Sequence, residues 1–319
     1  MPPRDFAMPR EHSGPYMGGF LHSGAFSQRL QMDSVPIAFV DALCITLEID
    51  DLEKLQKLRR PWSSTPEKHC GKRRDFGLHL NVNHDGTQVG VMLSGYPNVT
   101  CASLSKHDRI GYITVGSSKF ADLPEKMTLH RFRKKILPLV TSLTSSYALD
   151  MRYSERSQKE LRKSLCSSLH GYIFHLTTGY TGGRCIEFLE KQIGFGYLSI
   201  LRLTGEEWPD SMKSTMHTFL KSPNFMSLEI RGTNLTIDFD MATCFIEGFF
   251  KRDFAMYSSL CGKPSFDVEM LEDFYPDFRV YYSYCEGRYD LDGMVWDTPE
   301  SGTLYAYFEG GELTLSSFS

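Results

Sequence analysis

Residues 199–230 read SILRLTGEEWPDSMKSTMHTFLKSPNFMSLEI, and they contain the pattern that decides the fold. The stretch holds two triplets in which apolar residues flank a polar one, LRL at 201–203 and LEI at 228–230. Residues 210–220, between the triplets, have the apolar spacing of an amphipathic helix. This order predicts a strand, a helix and a second strand.

The same pattern occurs twice more upstream, so it is a repeat. The four apolar pairs are Leu149/Met151, Phe174/Leu176, Leu201/Leu203 and Leu228/Ile230, and their first residues are 25, 27 and 27 residues apart. Each pair precedes an amphipathic segment, at 158–169, 183–193, 210–220 and 241–250. One strand plus one helix occupies a step of this length in stacked units. The sequence therefore predicts an α/β fold with a leucine-rich-repeat-like strand–helix stack on a parallel sheet.

The polar residues inside the four pairs are predicted to hold equivalent positions on an exposed strand face, because side chains alternate along a strand. They are Asp150, His175, Arg202 and Glu229. This set is chemically mixed and forms no catalytic constellation. Stacked units make extended binding faces more often than catalytic pockets, so the pattern favours recognition over catalysis.

The segments on either side of the repeat complete the predicted domain, 76–319, which we interpret as an α/β repeat-like partner-binding domain. Upstream, 76–82 and 88–94 alternate around hairpin turn chemistry, 109–115 reads as a strand, and 129–143 has helical spacing. Downstream, the aromatic segments 278–284, 303–308 and 312–318 predict a β-rich C-terminal end.

Composition excludes several function classes. The chain has 319 residues, 41% of them hydrophobic and 23% charged, and a formal net charge of −4. Bulk binding to nucleic acid or to an anionic membrane needs a surplus of Lys and Arg, so neither is a predicted partner. No span approaches the roughly 20 apolar residues of a membrane helix, and the N-terminus lacks the apolar core of a secretory signal.

The eight cysteines have neither Cys-x-x-Cys nor zinc-finger spacing. They are predicted to be reduced core residues of an intracellular protein, cytoplasmic or nuclear.

No motif predicts a catalytic residue, a cofactor site or a metal site. The loop TTGYTGG at 177–183 lies between a strand and a helix but lacks the phosphate-binding patterns. The carboxylate pairs Asp238/Asp240 and Asp290/Asp292 do not fit a calcium loop. The sequence therefore predicts a protein that is not an enzyme and binds no cofactor.

A helical segment precedes the sheet. Residues 1–31 lack apolar periodicity and are predicted to be disordered, while 32–75 has the spacing of short helices. Pro36 suits the first turn of a helix. Ile37, Val40 and Leu43/Cys44 are predicted to share one face of that helix. Asp50 or Asp51 is a predicted N-cap for a second helix at 52–58.

This segment resembles an F-box. The residues that carry the resemblance are Val35, Pro36, Phe39, Leu43, Leu52, Leu55 and Trp62. The phrases MDSVP at 32–36, WSS at 62–64 and HCGKRR at 69–74, followed by a strand, are also similar to a set of nematode F-box-like proteins with repeat-bearing C-terminal halves. The usual Leu before the proline is Val35 here.

The resemblance implies a substrate-receptor subunit of an SCF-type ubiquitin ligase. The seven residues would then bind the adaptor subunit of the ligase, and the repeat domain would bind a target protein. Two other interpretations stay open from the residues alone. One is a repeat-type interaction scaffold with no ubiquitin role, in which the front helices are a cap. The other is an enzyme with an active site assembled from distant residues.

Overall fold

A computed structural model describes residues 35–58, 62–152, 156–251, 257–271, 279–285, 288–298 and 302–318. The predicted disordered segment 1–31 lies outside the described residues. Within them, none of the helices combines the length and the apolar character needed to cross a membrane.

Three short helices form the N-terminal module: α1 Ile37–Thr46, α2 Ile49–Gln56 and α3 Ser64–Lys72. Pro36 lies just before α1, in extended conformation, instead of inside its first turn. The second helix begins at Ile49 after Glu48, so the N-cap predicted at Asp50 or Asp51 is wrong and both aspartates lie in the first turn. Carboxylates in that turn interact favourably with the positive end of the helix dipole. They therefore favour a helix that begins at Ile49, three residues earlier than predicted.

All described strands belong to one 13-stranded sheet of mixed direction, in the order β10-β11-β12-β13-β9-β8-β7-β6-β5-β3-β1-β2-β4. The strands are β1 Asp75–Val82, β2 Gln88–Ser94, β3 Arg109–Val115, β4 Glu125–Thr128, β5 Ser146–Met151, β6 Tyr172–Gly179, β7 Ile200–Thr204, β8 Ser227–Glu229, β9 Tyr257–Gly262, β10 Arg279–Cys285, β11 Arg288–Thr298, β12 Gly302–Glu309 and β13 Glu312–Phe318. The helices after β4 are α4 Leu129–Arg131, α5 Leu137–Leu143, α6 Lys159–Ser168, α7 Gly183–Gly194, α8 Met212–Leu220 and α9 Phe239–Lys251. A π-helical turn, Phe132–Ile136, joins α4 to α5.

The strands β5 to β9 lie side by side in chain order and are parallel. One helix follows each of β5 to β8, and each of α6 to α9 contacts the helix before it, so these helices form one layer. The strand residues that face this layer are fully buried: Leu149, Leu176, Leu201, Leu228 and Leu260. The strand neighbours predicted from the repeat are therefore found, and β9, which was not predicted, extends the row.

A β-bulge corrects the predicted equivalence of the four apolar pairs. Tyr147 pairs with Ile173 and the next residue, Ala148, pairs with His175, so Phe174 is the extra residue. An extra residue reverses the side-chain alternation on one side of it. Phe174 is consequently 44% exposed, while Leu176 is buried beside Leu149 and Leu201.

The bulge also changes the predicted polar row. Asp150 pairs with Thr177, which pairs with Arg202, which pairs with Glu229. Thr177 therefore holds the position that was predicted for His175.

The C-terminal end is β-rich, as predicted. The strands β10 to β13 are successive antiparallel neighbours, and β13 pairs with β9. Trp296, Leu304 and Leu313 join the same core as the parallel strands. The aromatic segment thus continues the sheet and closes that end of the core. The strands β4 and β11 were not predicted.

Candidate interaction surfaces

The N-terminal module has its own small core, made of Val40, Cys44, Leu52 and Trp62. Val35, Leu43 and Leu55 are half-buried against it. Two of the seven residues expected to contact a partner, Leu52 and Trp62, therefore serve the core of the module. Leu52 has no exposed surface in this conformation.

Apolar side chains are exposed at the N-terminal end of α1. Ile37 is 65% exposed, Phe39 is 56% exposed, and Pro36 is also exposed. We call these three residues the α1 patch. The sequence of α1, IAFVDALCIT, is apolar nearly all round, so a helix packed on one side must leave apolar side chains on the other. Ile37 precedes Val40 and Cys44 by three and seven positions, so it lies on the helical face predicted for it, but it is in the first turn of α1 and, unlike those two residues, is exposed.

A polar network joins the module to the sheet. Asp41 of α1 lies 2.8 Å from Nε2 of His69 and accepts a hydrogen bond from Nζ of Lys106 at 2.7 Å. His107 Nδ1 lies 3.3 Å from His69 Nδ1. Arg109, at the start of β3, donates to the carbonyl oxygen of Ile45 near the end of α1. The module is therefore held at a defined place beside the N-terminal end of β3.

Asp41→Asn is expected to lower the free energy of unfolding only above about pH 2. The hydrogen bonds from Lys106 and His69 lower the pKa of Asp41 to about 2, against an ordinary value of 3.8. A carboxylate with a lowered folded-state pKa contributes stability that is complete above its unfolded pKa and is lost as the pH falls through its folded pKa.

Chemical denaturation of the wild-type protein and of the variant, from pH 6 to pH 2, checks this expectation. The difference in unfolding free energy should be full at pH 5–6 and shrink between about pH 4 and pH 2. A difference that stays constant across this range would mean that Asp41 acts without its charge.

The sheet has an open face on the side away from the helices. One row across it runs through neighbouring strands: His79, Thr114, Asp150, Thr177, Arg202, Glu229 and Cys261. Thr114 and Thr177 in this row are buried. Most of the side chains on this face of β5, β7, β8 and β9 are half-buried, unlike the leucines on the helix side. We use the name open face for this surface.

Charges of both signs lie on or beside the open face as ion pairs. Arg152 lies 2.6 Å from Asp150, and Arg231 lies 3.2 Å from Glu312. Arg202 pairs with Glu229. These ions are roughly one-fifth to one-half exposed, so they remain able to exchange partners with an approaching protein.

Exposed aromatic rings lie along the edge where β6 and β7 begin. Tyr172 stacks at an angle on Tyr197, with ring centroids 4.3 Å apart, and meets Phe195 edge-on at 5.5 Å. Lys191 Nζ lies over the Phe195 ring at 5.6 Å. Rings of this kind supply large contact areas at low entropic cost and are enriched at protein interfaces.

The histidines of the open face are held mainly by hydroxyl groups. His79 Nδ1 lies 2.9 Å from Thr114 Oγ1, and its Nε2 lies 3.0 Å from Ser94 Oγ. Burial lowers the pKa of His79, and burial followed by the charge of Arg202 lowers the pKa of His175. No group of three or more His, Cys, Asp or Glu side chains in the described part of the chain is placed to hold a metal ion.

A search of protein-family models and a search of curated proteins found no match for this chain. The resemblance to F-box proteins thus depends on the residues quoted for it. Sequence reasoning missed Ile37 as a surface residue, as well as the junction residues Lys106, His107 and Arg109. The apolar character of α1 on all sides was the signal that could have identified Ile37.

Proposed function

We propose that the chain is a substrate-receptor subunit of an SCF-type ubiquitin ligase. Its N-terminal module is an F-box-like unit that binds the adaptor subunit of the ligase, and its strand–helix stack is leucine-rich-repeat-like. The open face of that stack binds the target protein. The α1 patch is the observation that carries the proposal.

Two features of the α1 patch support docking of a partner. The module already has a closed core of four buried residues, so Ile37 and Phe39 are surplus to its folding. Exposed apolar side chains close together in one helical turn are typical of the anchor region of an interface.

The open face supports binding of a protein target. It combines a long row of side chains from neighbouring strands, exposed aromatic rings and ion pairs of both signs. An extended surface of this kind reads another protein through shape and charge complementarity.

Ile37→Asp and Phe39→Asp are expected to weaken binding of the purified adaptor subunit while leaving the protein folded. Each places a charge in the apolar anchor region, which should weaken binding at least about 30-fold, on the order of 2 kcal/mol. Isothermal titration calorimetry measures the affinity, and circular dichroism checks the fold. Tyr197→Asp is the matched control, since Tyr197 is 53% exposed but lies at the sheet edge. The ligase role is wrong if the folded wild-type protein does not bind the adaptor subunit.

A second candidate function is an interaction scaffold without a ubiquitin role, in which the module caps the sheet. The junction favours it, because Asp41, His69 and Arg109 fix the module against β3 and its preceding loop. A cap predicts that Lys106→Ala and Asp41→Ala lower the unfolding free energy of the sheet. Charged replacements in the α1 patch would then leave the binding of every partner unchanged.

A further inference from the structure

Two histidines meet where the N-terminal module joins the sheet. His69 belongs to α3 and is 2% exposed, and His107 lies in the loop before β3 and is half-buried. Their Nδ1 atoms lie 3.3 Å apart, and their rings meet edge-on with centroids 4.6 Å apart. Two titratable rings therefore form a direct contact between the module and the sheet.

The position of the proton in this contact follows from the other partner of His69. Nε2 of His69 lies 2.8 Å from Oδ1 of Asp41, which is ionised above about pH 2. A carboxylate only accepts hydrogen bonds, so Nε2 of His69 carries a proton and donates it. Nδ1 of the neutral His69 ring is then an acceptor, and Nδ1 of His107 carries the single proton that lies between the two rings.

The contact accommodates one added proton but not two. If His69 gains a proton at Nδ1, His107 can carry its own proton on Nε2 and accept through Nδ1. If both rings are charged, two N–H groups point at each other across 3.3 Å. The two positive charges then repel each other, because they lie within a ring contact of 4.6 Å.

The charges around His107 oppose the second proton. Burial, followed by the charges of His69, Lys106 and Lys72, lowers the pKa of His107, and Asp41 is the charge that acts in the opposite direction. Asp41 already accepts a hydrogen bond from Lys106 at 2.7 Å. Positive charge therefore prevails on the side of the contact where the second proton would go.

The other groups near the contact do not supply a balancing negative charge. Both carboxylate oxygens of Asp108 accept hydrogen bonds from Arg74. Arg109, the first residue of β3, is a further cation. From α2, Gln56 donates to Sγ of Cys70 at 2.8 Å and carries no charge.

We propose that His69 and His107 form a pH-sensitive switch between the module and the sheet. At neutral pH the shared proton holds α3 against the loop before β3. In mild acid both rings are protonated, the contact breaks, and the module separates from the sheet. The two parts have separate hydrophobic cores, so each remains folded when the contact opens. The switch acts on this contact alone and does not depend on the ligase role.

The direction of the pH dependence follows from linkage. Because the pKa of His107 is lowered in the closed state, the open state binds more protons. The closed state is therefore fully favoured above the ordinary histidine pKa of 6.5, and it loses stability as the pH falls below that value. Asp41 contributes in a separate window, between about pH 4 and pH 2, so the two effects are distinguishable.

Hydrogen exchange of the full-length protein, measured by mass spectrometry at pH 7.5 and pH 5.5, tests the proposal. After correction for the intrinsic pH dependence of exchange, the opening equilibrium of α3 and of residues 101–108 should rise about threefold to tenfold at the lower pH. Peptides of β5 to β8 should keep their protection. The proposal is overturned if the junction peptides keep theirs too, or if β5 to β8 lose protection to the same extent.

Variants of His107 identify the titrating group. His107→Gln keeps an N–H donor for His69 but cannot be charged, so the difference between the two pH values should disappear. His107→Arg carries a permanent charge and should open the junction at pH 7.5. His84→Gln is the matched control, since His84 is exposed in the turn between β1 and β2, and it should respond like the wild-type protein.

A wild-type pH response in folded His107→Gln would overturn the proposal, because the titrating group would then lie elsewhere. If that variant does not fold, an NMR titration of the imidazole signals in the wild-type protein decides the outcome. The pKa of His107 is expected below 6.5, and a value at or above 6.5 would rule out the switch.

Discussion

Leu176→Ala is expected to lower the free energy of unfolding by about 2–5 kcal/mol, whereas Phe174→Ala should change it by less than about 0.5 kcal/mol. Both residues belong to β6, and only two positions separate them. Leu176 is fully buried between Leu149 and Leu201, under the helix layer. Its truncation leaves a cavity in a close-packed core, while Phe174 is 44% exposed and occupies the bulge.

Urea denaturation followed by circular dichroism measures both variants against the wild-type protein. The pair is its own control, because the same strand carries an inward and an outward apolar side chain. If both variants lose the same free energy of unfolding, the bulge is contradicted. The result would then support the regular alternation that the sequence predicts.

The strand–helix order of the sheet could be predicted from the sequence because each unit carries its own local signal. Alternating apolar residues fix β2 and β3 at the predicted residues, and the repeat places β5 to β8 side by side. The bulge at Phe174 could not be predicted, since pairing with the neighbouring strand determines it and Phe174 looks like any other apolar strand residue. The strand β9 was missed for a related reason: Leu260 follows Leu228 by more than the repeat step, and Tyr257–Gly262 is rich in small polar residues.

The candidate surfaces were predicted in part. The sequence identified the helical module and the residues of its α1 helix, but the division between core and surface depends on which residues the three helices cover once they pack together. Leu52 of α2 is buried in the folded module, and Ile37 in the first turn of α1 is exposed. The junction has even less sequence signal, because Asp41 and Lys106 lie 65 positions apart and meet only after folding.

Arg74→Met is expected to lower the free energy of unfolding by about 3–5 kcal/mol at neutral pH, because it leaves a buried carboxylate without its cation. Asp108 has no exposed surface. Its two oxygens accept hydrogen bonds from Nε and Nη2 of Arg74, both at 2.8 Å, and one also accepts from the backbone N–H of Ser105 at 2.6 Å. Burial alone would raise the pKa of Asp108, but Arg74 and Ser105 more than offset burial, and the pKa lies below its ordinary value.

The pH dependence identifies the mechanism behind that loss. In the wild-type protein the lowered pKa of Asp108 contributes stability that is present above its unfolded pKa and is lost as the pH falls through the folded value. Without Arg74 this contribution disappears, so the difference in unfolding free energy between variant and wild type should become smaller as the solution is acidified below about pH 4.

A double variant checks the same mechanism. Adding Asp108→Asn to Arg74→Met should recover part of the lost unfolding free energy, because the uncompensated charge is then gone. Arg133→Met is the matched control, since Arg133 and Glu160 form an exposed pair and its removal should cost no more than about 1 kcal/mol. If Arg74→Met costs no more than this control in urea denaturation at pH 7, then Asp108 is already compensated by its backbone contacts. The ion pair would then contribute little to holding the α3–β1 connection against the loop before β3.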